Sequence, residues 1–258
     1  MKLEFFKYQG AGNDFVMIDN RDKKINLSQS QVVFLCDRRF GIGADGLILI
    51  EPKQGFDFEM IYYNSDGNTS SMCGNGGRCI TAFAKQIGLI DDEAYFWAAD
   101  GKHNAEIKGS LVALKMNDVS TIETVGNDYF LDTGSPHYVI FKSEIENSII
   151  EKAKEIRYNA RFKEKGTNVN FVKIEDGFLK GRTYERGVED ETLSCGTGVT
   201  AMAIAAHYNK NIKQNKIDIS TPGGNLTVSF LFDEVQKKYY DIYLTGPAQL
   251  VFEGVIEV

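Results

Sequence analysis

The chain has 258 residues, enough for one large domain or two of roughly 110 to 130 that each bury a core. A hydrophobic content of 43% and a charged content of 25% are those of an ordinary soluble globule. A net charge of −7 argues against a nucleic-acid partner, and no apolar run approaches the length of a membrane span.

In chain order, short apolar segments predict strands over residues 3–7, 15–19, 46–51, 58–63, 94–98 and 111–116. Helical periodicity over 28–39 and 148–157 predicts two amphipathic helices. Two further helices, over 78–85 and 200–207, are apolar on most faces, which predicts burial inside the structure. The final segment, 248–258, alternates again like a strand. Together these elements predict an α+β fold of two domains, each a curled antiparallel sheet wrapped around a buried central helix. The opening Met1-Lys2-Leu3-Glu4 lacks the uninterrupted apolar stretch of a signal peptide, so a cytoplasmic location with reduced thiols is expected.

Both buried helices follow the same short pattern. Cys73-Gly74-Asn75-Gly76 precedes the first and Cys195-Gly196-Thr197-Gly198 the second. Each cysteine is thereby expected at a helix N-terminus, where backbone N–H groups and the macrodipole favour an anion and make a thiol reactive. The spacing of 122 positions (195 − 73 = 122) recurs elsewhere. Gly12 to Ile18 lies over Gly134 to Ile140, Gly46 to Ile50 over Asn168 to Val172, and Tyr62 to Asn64 over Tyr184 to Arg186. One gapless offset through four blocks identifies two homologous halves, with the expected boundary near Asn117-Asp118. Two like thiols facing one substrate could remove a proton from one side and return it from the other.

The remaining cysteines and histidines read differently. Cys36 sits in an apolar helical stretch and Cys79 one and a half turns into the helix after Cys73, so both are expected to be packing residues. No closely spaced cysteine pair or paired histidines suggest zinc, since His103, His137 and His207 are far apart. Gly41-Ile42-Gly43-Ala44-Asp45-Gly46 formally matches a dinucleotide fingerprint, but it follows a helix and enters a strand, the reverse of that motif's context.

Taken together, Gly12-Asn13-Asp14-Phe15, Asn64-Ser65-Asp66-Gly67, Met72 to Cys79, Ser135-Pro136-His137, Tyr184 to Gly187 and Cys195 to Gly198 resemble the diaminopimelate epimerase family, in that family's order and over nearly the whole chain. The resemblance implies a cofactor-independent epimerase of lysine and peptidoglycan-precursor synthesis that interconverts LL- and meso-diaminopimelate. It also implies two pseudo-symmetric domains, residues 1–117 with 248–258 and residues 118–247, an active site in the cleft between them, and a homodimer. No metal, nucleic acid or membrane is expected as a partner.

The expected roles follow residue by residue. Cys73 and Cys195 are the catalytic pair, exchanging thiolate and thiol with the direction of reaction. His137 and Glu185 are implied as modulators of the thiols, acting as proton acceptors or orienting partners. N–H groups around Gly74-Asn75 and Gly196-Thr197 would hold the α-carboxylate, where charge develops. Arg186 suits a distal carboxylate by its planar fork, and Asn13, Asn64 and Asn168 can both donate and accept, with Glu185 beside them. The sequence departs from the family pattern at Gly46, where many members carry an amide, and at Ser135, where asparagine is common. A proline or hydroxyproline racemase of the same fold is a sister reading, one that would favour histidine at Asn75 and would not need Arg186. A redox protein using Cys73 and Cys79, or a binding member of the fold, comes from a different class.

Overall fold

The computed structural model describes residues 1–70 and 72–258. The chain divides into two compact units, one of Met1–Leu114 with Gly246–Val258 and one of Lys115–Thr245.

The first unit opens with a hairpin of β1 (Lys2–Gly10) and β2 (Asn13–Asp19), turned at Ala11 and Gly12, whose φ values are 53° and 83°. Helix α1 (Gln29–Cys36) carries the chain to β3 (Gly46–Glu51), and β4 (Phe58–Asn64) returns beside it. Helix α2 (Gly74–Gln86) is followed by the meander β5 (Glu93–Ala98), β6 (Gly101–Lys108) and β7 (Leu111–Lys115).

The second unit repeats this plan. It runs β8 (Ile122–Val125), β9 (Asp128–Asp132), β10 (Pro136–Phe141), α3 (Ile150–Arg157), β11 (Asn168–Glu175) and β12 (Phe178–Glu185). A short β13 (Asp190–Thr192) leads into α4 (Gly196–Tyr208), and β14 (Lys216–Thr221), β15 (Gly224–Asp233) and β16 (Lys238–Pro247) follow. The last strand, β17 (Gln249–Glu257), pairs with β1. α4 begins 122 positions after α2 and each helix has 13 residues, so the offset read from the sequence is an offset between folded elements.

In neither unit is the strand pairing antiparallel throughout. β2 pairs parallel with β3 and β4 with β5; likewise β10 pairs parallel with β11 and β12 with β14. A parallel neighbour needs a crossover, and the helices supply it: α1 and α3 in the first step, α2 and α4 in the second. Within the first unit the strand order is β17-β1-β2-β3-β4-β5-β6-β7, and α2 touches β17, β1 and β2 near one end of that order and β6 near the other. A sheet whose two ends both reach one helix must curl around it. In the second unit α4 likewise meets β9, β10, β11, β12, β14 and β15.

Strand period explains where the cores lie. Val16, Ile18, Leu47 and Leu49 face Val32 and Leu35 of α1, whereas Phe15 and Ile48 face α2 at Gly76. Both sheet faces are thus covered, which is why β3 reads as an uninterrupted apolar run. Gly76 and Gly77 permit the close approach, since a Cβ there would stand 3.1 Å from Ile48 and 3.0 Å from Leu114. Tyr138, Ile140, Val169 and Phe171 form the matching cluster with Ile149 and Ala153 in the second unit.

The periodicity over 28–39 overshoots α1, which ends at Cys36. Asp37 turns extended (ψ 126°), its carboxylate accepts from the N–H groups of Arg39 and Phe40 at 2.7 Å, and Ile42 and Gly43 donate to Leu35 O. These bonds cap the helix a turn early. Its start is fixed by a reciprocal capping box between Ser28 and Gln31.

Candidate active site

Cys73 is the N-cap of α2 and Cys195 the N-cap of α4, both with extended backbone. The helical ladder begins at Gly77 and Val199, whose N–H groups bond Cys73 O at 2.7 Å and Cys195 O at 2.9 Å. The N–H groups ahead of them, in Gly74-Asn75-Gly76 and Gly196-Thr197-Gly198, point to the helix mouth beside each sulfur, the position where a helix favours an anion. Cys36 and Cys79 are buried, and burial pushes each thiol up to about 12. They behave as the packing residues the sequence implied.

In the first unit the turn after β1 delivers Asn13 to the Cys73 sulfur. Asn13 donates from Nδ2 to the Asp45 carboxylate at 2.6 Å, and a carboxylate only accepts, so the Asn13 Oδ1 faces the other way. There it lies 3.7 Å from Cys73 Sγ and accepts from Asn75 Nδ2 at 3.3 Å. Asn75 is oriented in turn by Arg78, whose Nη2 donates to Asn75 Oδ1 at 2.9 Å and whose Nη1 donates to Gly74 O at 3.2 Å. Arg78 is among the largest fully buried side chains, and desolvation lowers its pKa. Asp45 is held by Arg38 at 2.7 Å, and Arg38 also pairs with Asp14, which takes Lys7 at 2.8 Å. Burial alone would raise the Asp14 carboxyl, but the hydrogen bonds from Arg38 and Lys7 outweigh it and bring it down to about 2.

Asn64 ends β4 opposite Gly46 and enters through its backbone, with its N–H on Asn68 O at 2.9 Å and its carbonyl accepting from Gly67 at 2.9 Å. Gly46 has a steric cause: a Cβ there would meet the Tyr62 ring and the Tyr63 carbonyl oxygen, each at 2.6 Å. With Tyr62 so placed, an amide side chain there would have no room.

The second unit gathers its set at the start of α4 and the adjoining strand ends. Asn168 donates to Ser135 Oγ at 3.0 Å and Pro136 O at 3.1 Å, and its Oδ1 accepts from the Arg186 N–H at 2.8 Å. The exposed Arg186 guanidinium donates to two neutral acceptors, Lys165 O at 2.9 Å and Ser135 Oγ at 3.5 Å. Glu185 closes β12 and accepts from Thr192 Oγ1 at 3.0 Å.

His137 is fully buried, and desolvation chiefly, with the Arg186 charge, drives its pKa down to about 3. The ring therefore stays neutral at ordinary pH. Its Nε2 lies 2.9 Å from Thr197 Oγ1, which lies 3.4 Å from Cys195 Sγ, and its Nδ1 lies 3.1 Å from Asn170 Nδ2. So the second unit brings together His137, Asn168, Arg186, Cys195, Gly196 and Thr197, and the first brings together Asn13, Cys73, Gly74 and Asn75. Sequence reasoning missed Arg38, Asp45, Arg78 and Asn170. One signal was available: Asn170 is a lone amide in the apolar run Val169-Asn170-Phe171-Val172 of a central strand.

Against known proteins, the family model described as diaminopimelate epimerase matches residues 5–122 and 129–251. Diaminopimelate epimerase of Flavobacterium psychrophilum is 48% identical over 258 residues, covering 98% of this chain and 100% of the relative. That of Chlorobaculum tepidum is 40% identical over 257 residues, covering 96% and 98%. Among solved structures, a PhzF-family phenazine biosynthesis protein of Bacillus anthracis aligns with a TM-score of 0.75 at 14% identity, covering 100% of both chains. A hydroxyproline epimerase of Agrobacterium vitis aligns with a TM-score of 0.69 at 16% identity, covering 99% of this chain and 92% of that one. These two likenesses concern the fold.

Proposed function

The chain belongs to the diaminopimelate epimerase family of isomerases, and from that premise we propose that it interconverts LL- and meso-diaminopimelate without a cofactor, using Cys73 and Cys195 as its two bases. What carries the proposal is that each cysteine caps a buried 13-residue helix, in matched motifs 122 positions apart.

The chemistry asks for such parts. The α-proton of an amino acid is a very weak acid, and without a pyridoxal ring the carbanion must be stabilised by fixed dipoles. The N–H groups of Gly74-Asn75 and Gly196-Thr197 hold the α-carboxylate and meet the charge as it grows. One cysteine, as thiolate, takes the α-proton, and the other, as thiol, delivers its proton to the opposite face of the same carbon. Protonation is conserved overall, with thiolate and thiol exchanged. An unperturbed thiol has a pKa of about 8.5, and a helix N-terminus lowers it toward neutrality. Arg186 takes the distal carboxylate, Asn13, Asn64 and Asn168 bond the polar groups of the substrate, and Glu185 and His137 tune the thiols. The reaction serves lysine and peptidoglycan-precursor synthesis in the cytoplasm, with the protein as a homodimer of two-domain subunits divided near residue 117.

Incubation with LL-diaminopimelate in deuterated water tests this reading. Wild-type enzyme should form the meso isomer with deuterium at one α-carbon, and Cys73→Ala and Cys195→Ala should each lower the rate about 10²- to 10⁴-fold. Substantial epimerisation by either single variant overturns the two-base assignment. Labelling of proline in place of diaminopimelate overturns the substrate.

A further inference from the structure

The hydrogen bonds behind Cys195 have a polarity that can be worked out from their far end. Asn170 Nδ2 lies 3.1 Å from the Tyr138 carbonyl oxygen and 3.1 Å from His137 Nδ1, while Asn170 Oδ1 accepts from Thr183 Oγ1 at 3.0 Å. Reversing the amide would set its oxygen against the Tyr138 carbonyl oxygen, so the NH₂ group must face both. One of its protons then bonds Tyr138 O and the other bonds His137 Nδ1, which must offer a lone pair. The buried ring is neutral, so its single proton sits on Nε2.

Among the described residues that proton has one acceptor. Asn168 Nδ2 also approaches Nε2, at 3.4 Å, but both of its protons are used by Ser135 Oγ and Pro136 O. His137 Nε2–H therefore donates to Thr197 Oγ1 at 2.9 Å. When Cys195 is a thiolate it can only accept, and the Thr197 hydroxyl, already accepting from His137, turns its own proton to the sulfur 3.4 Å away. The frame is rigid: Thr133 Oγ1 donates to Thr197 O at 2.8 Å, and Gly198 lets the helix close on Asn170, since a Cβ there would stand 2.6 Å from Asn170 Oδ1.

We propose that the Thr197 hydroxyl is a built-in hydrogen-bond donor to the Cys195 sulfur, and that His137 is the positioning residue that fixes this polarity by donating from behind. A sulfur that receives a hydrogen bond is favoured as thiolate. His137 thus acts on Cys195 by giving a proton to a hydrogen bond, the reverse of a proton acceptor. The position matching Thr197 in the first unit is Asn75, and there Cys73 faces the acceptor oxygen of Asn13, so the two thiols are tuned differently. Glu185 accepts from Thr192 Oγ1 and Arg186 donates to Lys165 O and Ser135 Oγ, and none of these bonds sets the polarity. The inference rests on Cys195 being one of the two reacting thiols.

The test compares Thr197→Val, nearly isosteric but without the hydroxyl, with Thr197→Ser, which keeps it. Full-length enzyme is treated with iodoacetamide at neutral pH, and modification of each cysteine is followed by peptide mass spectrometry. Thr197→Val should slow alkylation of Cys195 about tenfold, as expected for loss of one hydrogen bond to a charged group, with Cys73 nearly unchanged, and Thr197→Ser should restore the rate. Nitrogen NMR of wild-type protein should show His137 protonated at Nε2 and bare at Nδ1. Unchanged Cys195 alkylation in folded Thr197→Val, failure of serine to rescue, or a proton on Nδ1 overturns the proposal. Deuterium uptake by diaminopimelate reports separately on the epimerase reading: if wild type takes up no label while alkylation still follows the hydroxyl, that reading fails and the hydrogen-bond relay stands.

Discussion

At the scale of single residues, four cysteines of one type are divided by their surroundings. Cys73 and Cys195 cap helices, the first half-buried and the second buried, whereas desolvation pushes the buried Cys36 and Cys79 up to about 12. At pH 8 the folded protein should therefore be alkylated at Cys73 and Cys195, with Cys36 and Cys79 reacting only after denaturation. Early modification of Cys79 would show that its enclosure is not as described. Asn170 gives a second test. Replacing it by leucine removes the donor to both Tyr138 O and His137 Nδ1, and leaving buried acceptors unmet costs about 1 to 3 kcal/mol, measurable by urea unfolding. The cysteine-glycine motifs made both thiols legible in the sequence. Arg78 and Asp45 were not, because a charged residue reads as solvated until the fold shows it buried or paired.

At the scale of elements, α2 and α4 do the same work with different surfaces. The first turn of α2 is polar and is met by Arg78, while α4 is apolar almost all round and buried along most of its length. Met202, at 0% exposure, packs against the Gly181 backbone of β12. Met202→Ala leaves a cavity in the centre of its unit and should cost about 2 to 5 kcal/mol, read from the shift of the denaturation midpoint. A loss below 1 kcal/mol would mean that the site collapses to fill the gap. Strand positions were legible to within a few residues because short apolar or alternating segments bounded by turn residues mark them. The early end of α1 was not, since Asp37 and the N–H groups of Ile42 and Gly43 stop the helix through contacts that periodicity does not encode.

At the scale of the whole molecule, the two units differ in how acid acts on them. His137 in the second unit has a folded value of about 3 against 6.5 for an unperturbed ring. The unfolded chain binds its proton first, so this contribution to stability is complete above pH 6.5 and is lost as the pH falls toward 3. Asp14 in the first unit, at about 2 against 3.8, contributes fully above pH 3.8 and loses its share only as the pH falls toward 2. Hydrogen exchange, corrected for intrinsic rates, should show protection in residues 115–245 weakening from just below pH 6.5. The early weakening should shrink in His137→Asn, leaving the share of His207, whose pKa burial also lowers. A common onset near pH 4 in both units, unaffected by that substitution, would count against the assignment.

The sequence by itself determined the duplicated plan, the helices that follow the two cysteines, and the place of Cys73 and Cys195 at their starts. Each of these is written in local patterns: a period along a strand, a glycine after a cysteine, a fixed offset of 122. Tertiary structure alone decided the parallel pairings, the burial of Arg78 and His137, and the meeting of His137, Thr197 and Cys195. Those depend on which groups from distant segments meet away from water, and a proton's place on a histidine is set by the amide, carbonyl and hydroxyl that surround the ring.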